Sequence, residues 1–285
     1  MSLRNLPEIK AFERPEGLSF EALPETLARW DAGVRAAAED DENTISIYEP
    51  IGQDPWTGGG MTAKRLGGIL RSVGDKDVVV NINSPGGDLF EGIAIYNLLR
   101  AHKGRVTVRV MALAASAASV IAMAGDRIEI ARSAFFMVHN CWVLAIGNRH
   151  DLGEIAAWLE PFDAAMADLY AARSGLDGKA VAKLMDAETW IGGAAAIEKG
   201  FADDFLPVDQ VKEDASARAE AAPLMALRRV DAILASQGIP RTERRTLLAG
   251  VKRGTQDAAA PAMHDAGDLS AVADSLRRLH ATIGT

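Results

Sequence analysis

The chain has 285 residues, 48% apolar and 25% charged, which suits a soluble protein with a sizeable core and room for one large domain plus an extension. Its formal net charge of −8 argues against non-specific nucleic-acid binding, which needs clustered Lys and Arg. No apolar run approaches the ~18 residues of a membrane span, residues 1–14 are too polar for a secretory signal, and a lone cysteine, Cys141, excludes an internal disulfide and fits a reducing cytoplasm.

Residues 1–43 read as an N-terminal arm, broken by Pro7, Pro15 and Pro24, with one short helix expected over 25–38. From Thr44 the texture changes. Residues 44–48 and 77–83 are β-branched and apolar and are expected as strands. Between them Thr62 can cap a helix carrying Leu66, Ile69 and Leu70 on one face. Residues 88–102 follow as a helix, and 106–110, 127–130 and 134–138 as strands. A long amphipathic helix is expected over 151–174, kinked at Pro161, with Trp158, Phe162 and Leu169 on a stripe that one domain would struggle to cover. Strands alternating with helices over 44–208 imply an α/β domain of parallel character. Residues 209–285 carry no strand signal and read as a helical extension, with helices over 209–237, 242–252 and 268–281 and a linker at 258–266.

Three short segments carry chemistry. Asn83-Ser84-Pro85-Gly86-Gly87-Asp88 joins a strand to a helix, and its glycines allow a tight turn that exposes backbone N–H groups to a developing oxyanion. By itself it equally describes an ordinary connection. Ala114-Ala115-Ser116-Ala117-Ala118-Ser119 places a serine where a strand gives way to an apolar helix of small residues, although the pattern is not G-x-S-x-G. Met137-Val138-His139 ends a strand on an imidazole, where a general base can be held rigidly. A lone histidine there is also compatible with a structural role.

Taken together and in this order, Ser84-Pro85-Gly86-Gly87, Ala114-Ala115-Ser116, Met137-Val138-His139 and the helix segment Gly92-Ile93-Ala94-Ile95-Tyr96 resemble the Clp peptidase family over residues 44–208. The resemblance implies the Clp/crotonase fold of repeated β-β-α units and peptide-bond hydrolysis through an acyl-enzyme, with no cofactor and no metal. It implies Ser116 as nucleophile, His139 as base, and an oxyanion hole from the N–H groups of Gly87 and Ala117. An activity that declines near a histidine's usual pKa of ~6.5 follows from that role. The sequence departs from the family in having Ala112 where a glycine is usual. Counting back from Gly200-Phe201-Ala202-Asp203, which resembles the family's G-L-V-D, puts Glu188 at the acid's position, with Asp186 as the alternative.

Within the family, the run Ala-Ala-Ser-Ala-Ala-Ser, the Glu188-Thr189-Trp190 triplet and the helical extension resemble the phage and prophage branch associated with head maturation. The partners this implies are a capsid or scaffold protein as substrate and further copies in a homo-oligomeric ring. Three other readings share the fold: a peptidase subunit fed by a Clp-family ATPase, a silent structural ring protein, and a crotonase-type acyl-CoA enzyme, which has no need of the Ser/His pair. The extension, lacking any catalytic motif, is expected to be dispensable for hydrolysis.

Overall fold

A computed structural model describes residues 6–7, 21–37, 43–54, 57–143 and 145–259. The chain opens with α1 (Pro24–Arg29) and β1 (Val34–Ala36), then enters alternating strands and helices: β2 (Thr44–Ile47), α2 (Ala63–Val73), β3 (Val78–Ser84), α3 (Leu89–Ala101) and β4 (Val106–Ala115). A short helix α4 (Ala117–Ala122) leads to β5 (Arg127–Ile130) and β6 (Phe135–Val138), followed by the long α5 (Arg149–Ser174). Next come α6 (Gly178–Asp186), β7 (Thr189–Gly192), α7 (Gly193–Glu198) and β8 (Asp204–Phe205). The chain continues through β9 (Val211–Glu213), α8 (Ala215–Ser236) and α9 (Arg241–Ala259).

Among the described residues seven strands form one sheet, ordered β2-β3-β4-β5-β8, with β6 joining β4 further along and β7 pairing antiparallel to β6. The remaining pairings in it are parallel. Parallel strands are covered on both faces, which is why β3, sequence VVVNINS, is buried at every position but one. A partly buried polar pair sits between β4 and β5: Arg109 and Glu129 face each other in register with a 3.1 Å ion pair. Side-chain caps begin several helices, at Thr62 as the sequence indicates. Thr62 accepts from Arg65 N, Asp88 from Phe90 N, and Asn148 closes a capping box on α5. Helix α5 runs through Pro161, and its apolar stripe is mostly spent inside the chain, with Phe162 and Leu169 buried and Trp158 stacked on Phe90 and tilted against Phe162.

The two ends of the first unit depart from expectation. The helix expected over 25–38 is only six residues long, and β1 follows it. The region after Pro207, read as strandless, contains β9, which pairs antiparallel with β1. Helix α8 then packs on α1. Leu27, Trp30, Met225 and Ala232 form a second apolar cluster with Leu113, Ala115 and Met137, which lie on β4 and β6. Polar contacts stitch the same seam: Arg218 to Asp31 at 2.6 Å, Arg228 to Asp54, and Trp30 Nε1 to the Asn83 carbonyl at 3.0 Å. Asn83 returns two bonds, to the carbonyls of Asp31 and Val34 at 2.7 and 2.8 Å.

The chain divides into two compact units, Met1–Arg241 and Thr242–Thr285, so β9 and α8 belong with the sheet rather than with a separate extension. The helix expected over 242–252 extends to Ala259, and the one expected over 268–281 lies outside the described residues. Removing everything after Asp209 would take Met225 and Ala232 of α8 from the cover over Leu113, Ala115 and Met137. Burying a large apolar side chain contributes roughly 1.5–3 kcal/mol, so the loss is a large fraction of the about 5–15 kcal/mol that holds a domain folded. A chain truncated near Asp209 should melt at least 10 °C lower than the full chain or aggregate, by circular dichroism.

Candidate active site

Strands β4 and β6 run parallel and pair Leu113 with Phe135, Ala114 with Phe136 and Ala115 with Met137. The ladder continues one step past β4, where Ser116 N donates to the Met137 carbonyl at 2.9 Å. Ser116 itself turns sharply, with φ 54° and ψ −126°, before α4 begins at Ala117. A non-glycine residue in that region costs on the order of 1–3 kcal/mol and is characteristic of functional turns. His139 follows β6 by one residue and is buried, 7% exposed, with Nε2 2.7 Å from Ser116 Oγ. Ser119, the other serine of the run, faces elsewhere: its hydroxyl donates to the Ser116 carbonyl at 2.6 Å and bonds the buried Tyr170 hydroxyl at 2.7 Å.

The glycine turn sits directly against this junction. A Cβ on Gly86 would come within 2.6 Å of the Ala115 carbonyl oxygen and 2.7 Å of Ser116 Cβ, and its φ of 87° adds a second reason for glycine. Ile51 forms a parallel bridge to Gly87, donating to the Gly86 carbonyl at 2.9 Å and accepting from Asp88 N at 3.0 Å. In such a bridge the groups of the central residue point away from the partner, so the Gly87 N–H is directed away from Ile51. Gly87, Ser116, Ala117 and His139 all line one cleft, walled further by Leu89, Trp142, Met166 and Tyr170. Glu21, from the chain just before α1, lines it as well. The walls come from α3, α5 and the segment after β6, none of which carries a sequence signature for this use.

The two carboxylates singled out from the sequence lie differently. Glu188 occupies the turn between α6 and β7 with φ 47°; its side chain is exposed and, among the described residues, makes no hydrogen bond or ion pair. Asp186 Oδ1 accepts from Asn140 Nδ2 at 2.8 Å. The structure thus brings together Ser116, His139, Gly87 and Ala117, and it does not bring either carboxylate onto His139.

That arrangement has an electrostatic consequence. Burial lowers the His139 pKa from 6.5 to about 4, opposed only by a hydrogen bond to the Asn140 backbone. An unfolded chain would protonate this ring near 6.5, so between 6.5 and about 4 the unfolded state binds more protons, and folding stability is lost as the pH is lowered through that window. Followed by NMR in Ser116→Ala, the His139 ring should titrate near 4 rather than 6.5; a midpoint at or above 6.5 would mean that a carboxylate pairs with it in solution.

A family profile described as Clp protease matches residues 62–208. Among curated relatives, ATP-dependent Clp protease proteolytic subunit 3 of Streptomyces avermitilis is 31% identical over 150 residues, covering 52% of this chain and 67% of the relative. Proteolytic subunit 1 of Streptomyces coelicolor is 29% identical over 168 residues, covering 58% and 74%. Of the solved structures, ClpP1 from Listeria monocytogenes aligns with a TM-score of 0.48 at 22% identity, over 58% of this chain and 92% of that one. The matched span contains the glycine turn, Ser116 and His139 in their expected order, and with the profile covering just over half of its length the chain belongs to the Clp protease family.

Proposed function

We propose that the chain is a serine endopeptidase in which Ser116 is the nucleophile and His139 the base. The observation that carries this reading is the 2.7 Å contact between Ser116 Oγ and His139 Nε2 at the end of two paired strands. Ser116 Oγ attacks the scissile carbonyl as its proton passes to His139 Nε2. The Gly87 and Ala117 N–H groups receive the oxyanion, and His139 returns the proton to the leaving amine. Water then enters, deprotonated by His139, and releases the acyl group from Ser116.

Labelling with a fluorophosphonate tests the nucleophile. Ser116→Ala should abolish labelling and lower peptide turnover on the order of 10⁴-fold with the fold retained. Ser119→Ala should keep both, at a stability cost of about 1 kcal/mol for the lost partner of Tyr170. The reverse pattern would reassign the nucleophile.

The acid is proposed to be Glu188, whose support is its spacing from Gly200-Phe201-Ala202-Asp203. A base held near pKa 4 disfavours its imidazolium by about 3 kcal/mol relative to an ordinary histidine, so attack benefits from a carboxylate that turns in. Rotation of the left-handed backbone at Glu188 would supply one. Glu188→Gln should then lower kcat by roughly 10³–10⁴-fold and Asp186→Asn far less, and the acid limb of kcat should lie above the value near 4 expected for the resting ring. Near-wild-type turnover in Glu188→Gln would leave Ser116 and His139 working as a pair.

The substrate is proposed to be a phage capsid or scaffold protein, cut during head assembly by a ring of these chains in the cytoplasm. Support comes from the Ala-Ala-Ser-Ala-Ala-Ser run, the Glu-Thr-Trp triplet at 188–190 and the helices after residue 208. A second reading is favoured by the names of the relatives, which are proteolytic subunits of an ATP-dependent protease. Purified chain mixed with capsid and scaffold proteins, with and without a Clp-family ATPase, separates the two. Cleavage without ATPase supports head maturation, and cleavage only with it supports the second reading.

A further inference from the structure

Strand β6 ends at Val138, and the described residues from His139 to Asn148, the cap of α5, belong to no helix or strand. The ladder that fixes Ser116 therefore stops one residue short of the imidazole. Two side chains take over beyond it. Asp163 Oδ1 accepts from Cys141 N at 2.6 Å, and Asp186 Oδ1 accepts from Asn140 Nδ2 at 2.8 Å. Asp163 lies on α5 beside Phe162, which is 1% exposed and anchors the helix against Phe90. Burial raises the Asp163 carboxyl above the usual range, the nearby Asp186 charge adds to this, and the bond from Cys141 N opposes it. A half-buried carboxylate close to a second one is a costly arrangement. The proton transfers assigned to Ser116 and His139 do not use it, and it does not line the cleft.

We propose that Asp163 is a positioning residue for His139. By holding Cys141 N from the rigid face of α5, it fixes the irregular segment that follows the base and so keeps Nε2 within hydrogen-bond reach of Ser116 Oγ. This proposal rests on the peptidase reading. Asp163 acts through the backbone two residues beyond the base, and its lever is geometric, since a misplacement of about 1 Å can cost ~100-fold in rate.

The test compares Asp163→Ala and Asp163→Asn in the full chain, with Ser116→Ala as the blank. Asp163→Ala should lower both kcat on a small peptide and the rate of fluorophosphonate capture by ~10–100-fold, with KM within about twofold. Asp163→Asn keeps an oxygen able to accept from Cys141 N and should restore both rates to within about threefold of wild type. Thermal melting of each variant sets a temperature at which all are folded. Should Asp163→Ala not fold, Asp163→Ser serves as the deletion, its hydroxyl being too short to reach. Wild-type rates in the deletion, or a change in KM alone, would overturn the proposal. Equal losses in Asp163→Asn and the deletion would also overturn it, because charge rather than the hydrogen bond would then be at work. A reactive wild type with an equally reactive deletion removes only this proposal, whereas a wild type that neither reacts nor cleaves removes the peptidase reading and this proposal together.

Discussion

Adjacent strands lie ~4.8 Å apart, and parallel neighbours present their C-terminal ends on the same edge of a sheet. The pairing of Leu113–Ala115 with Phe135–Met137, prolonged by the Ser116 N–H to Met137 carbonyl bond, puts the residues just past two strands side by side. A hydroxyl and an imidazole 23 residues apart in sequence are brought to one edge of the sheet by this means and meet at 2.7 Å. A one-residue slip in this register would turn the side chains of β6 to the opposite face and carry His139 away from Ser116. The apolar cover under Leu113, Ala115 and Met137 is therefore tied to the site, and α1 and α8 provide it.

Close approach is the second constraint. The junction of β4 and α4 is built from alanines because the glycine turn and α3 press against it. A Cβ on Gly92 would lie 2.9 Å from that of Ala117, and one on Gly86 still nearer the Ala115 carbonyl. Small side chains let three backbones converge, and the strained turn at Ser116 is held by the packing around it.

The central sheet was largely legible in the sequence. The β-branched runs of β2, β3 and β5 and the cap at Thr62 announce themselves through local pattern, and so does the order of the three motifs. The seam between the ends of the first unit did not. Strands β1 and β9 are three residues each, VRA and VKE, too short and too polar for a period to emerge, and they exist because remote segments supply each other's hydrogen bonds. The helix α6 and strand β7 were likewise missed, β7 because its pairing to β6 is fixed by tertiary contact. At the site, spacing proposes Glu188 as the acid but carries no information on the side-chain direction set by a left-handed turn. Asp163 offered one faint signal, an aspartate beside the apolar stripe of an amphipathic helix, and no rule of spacing links it to Cys141.

Cys141 is the chain's one cysteine, two residues past His139, and its thiol is pushed well above the usual range, first by burial and then by the neighbouring Asp163 carboxylate. A thiol held in that form is a poor nucleophile toward alkylating reagents. It becomes an ordinary one when the segment loosens from α5. The rate of maleimide attachment to the unaltered chain is thus an intrinsic gauge of how firmly His139 is seated, readable without substrate and without introducing a reporter.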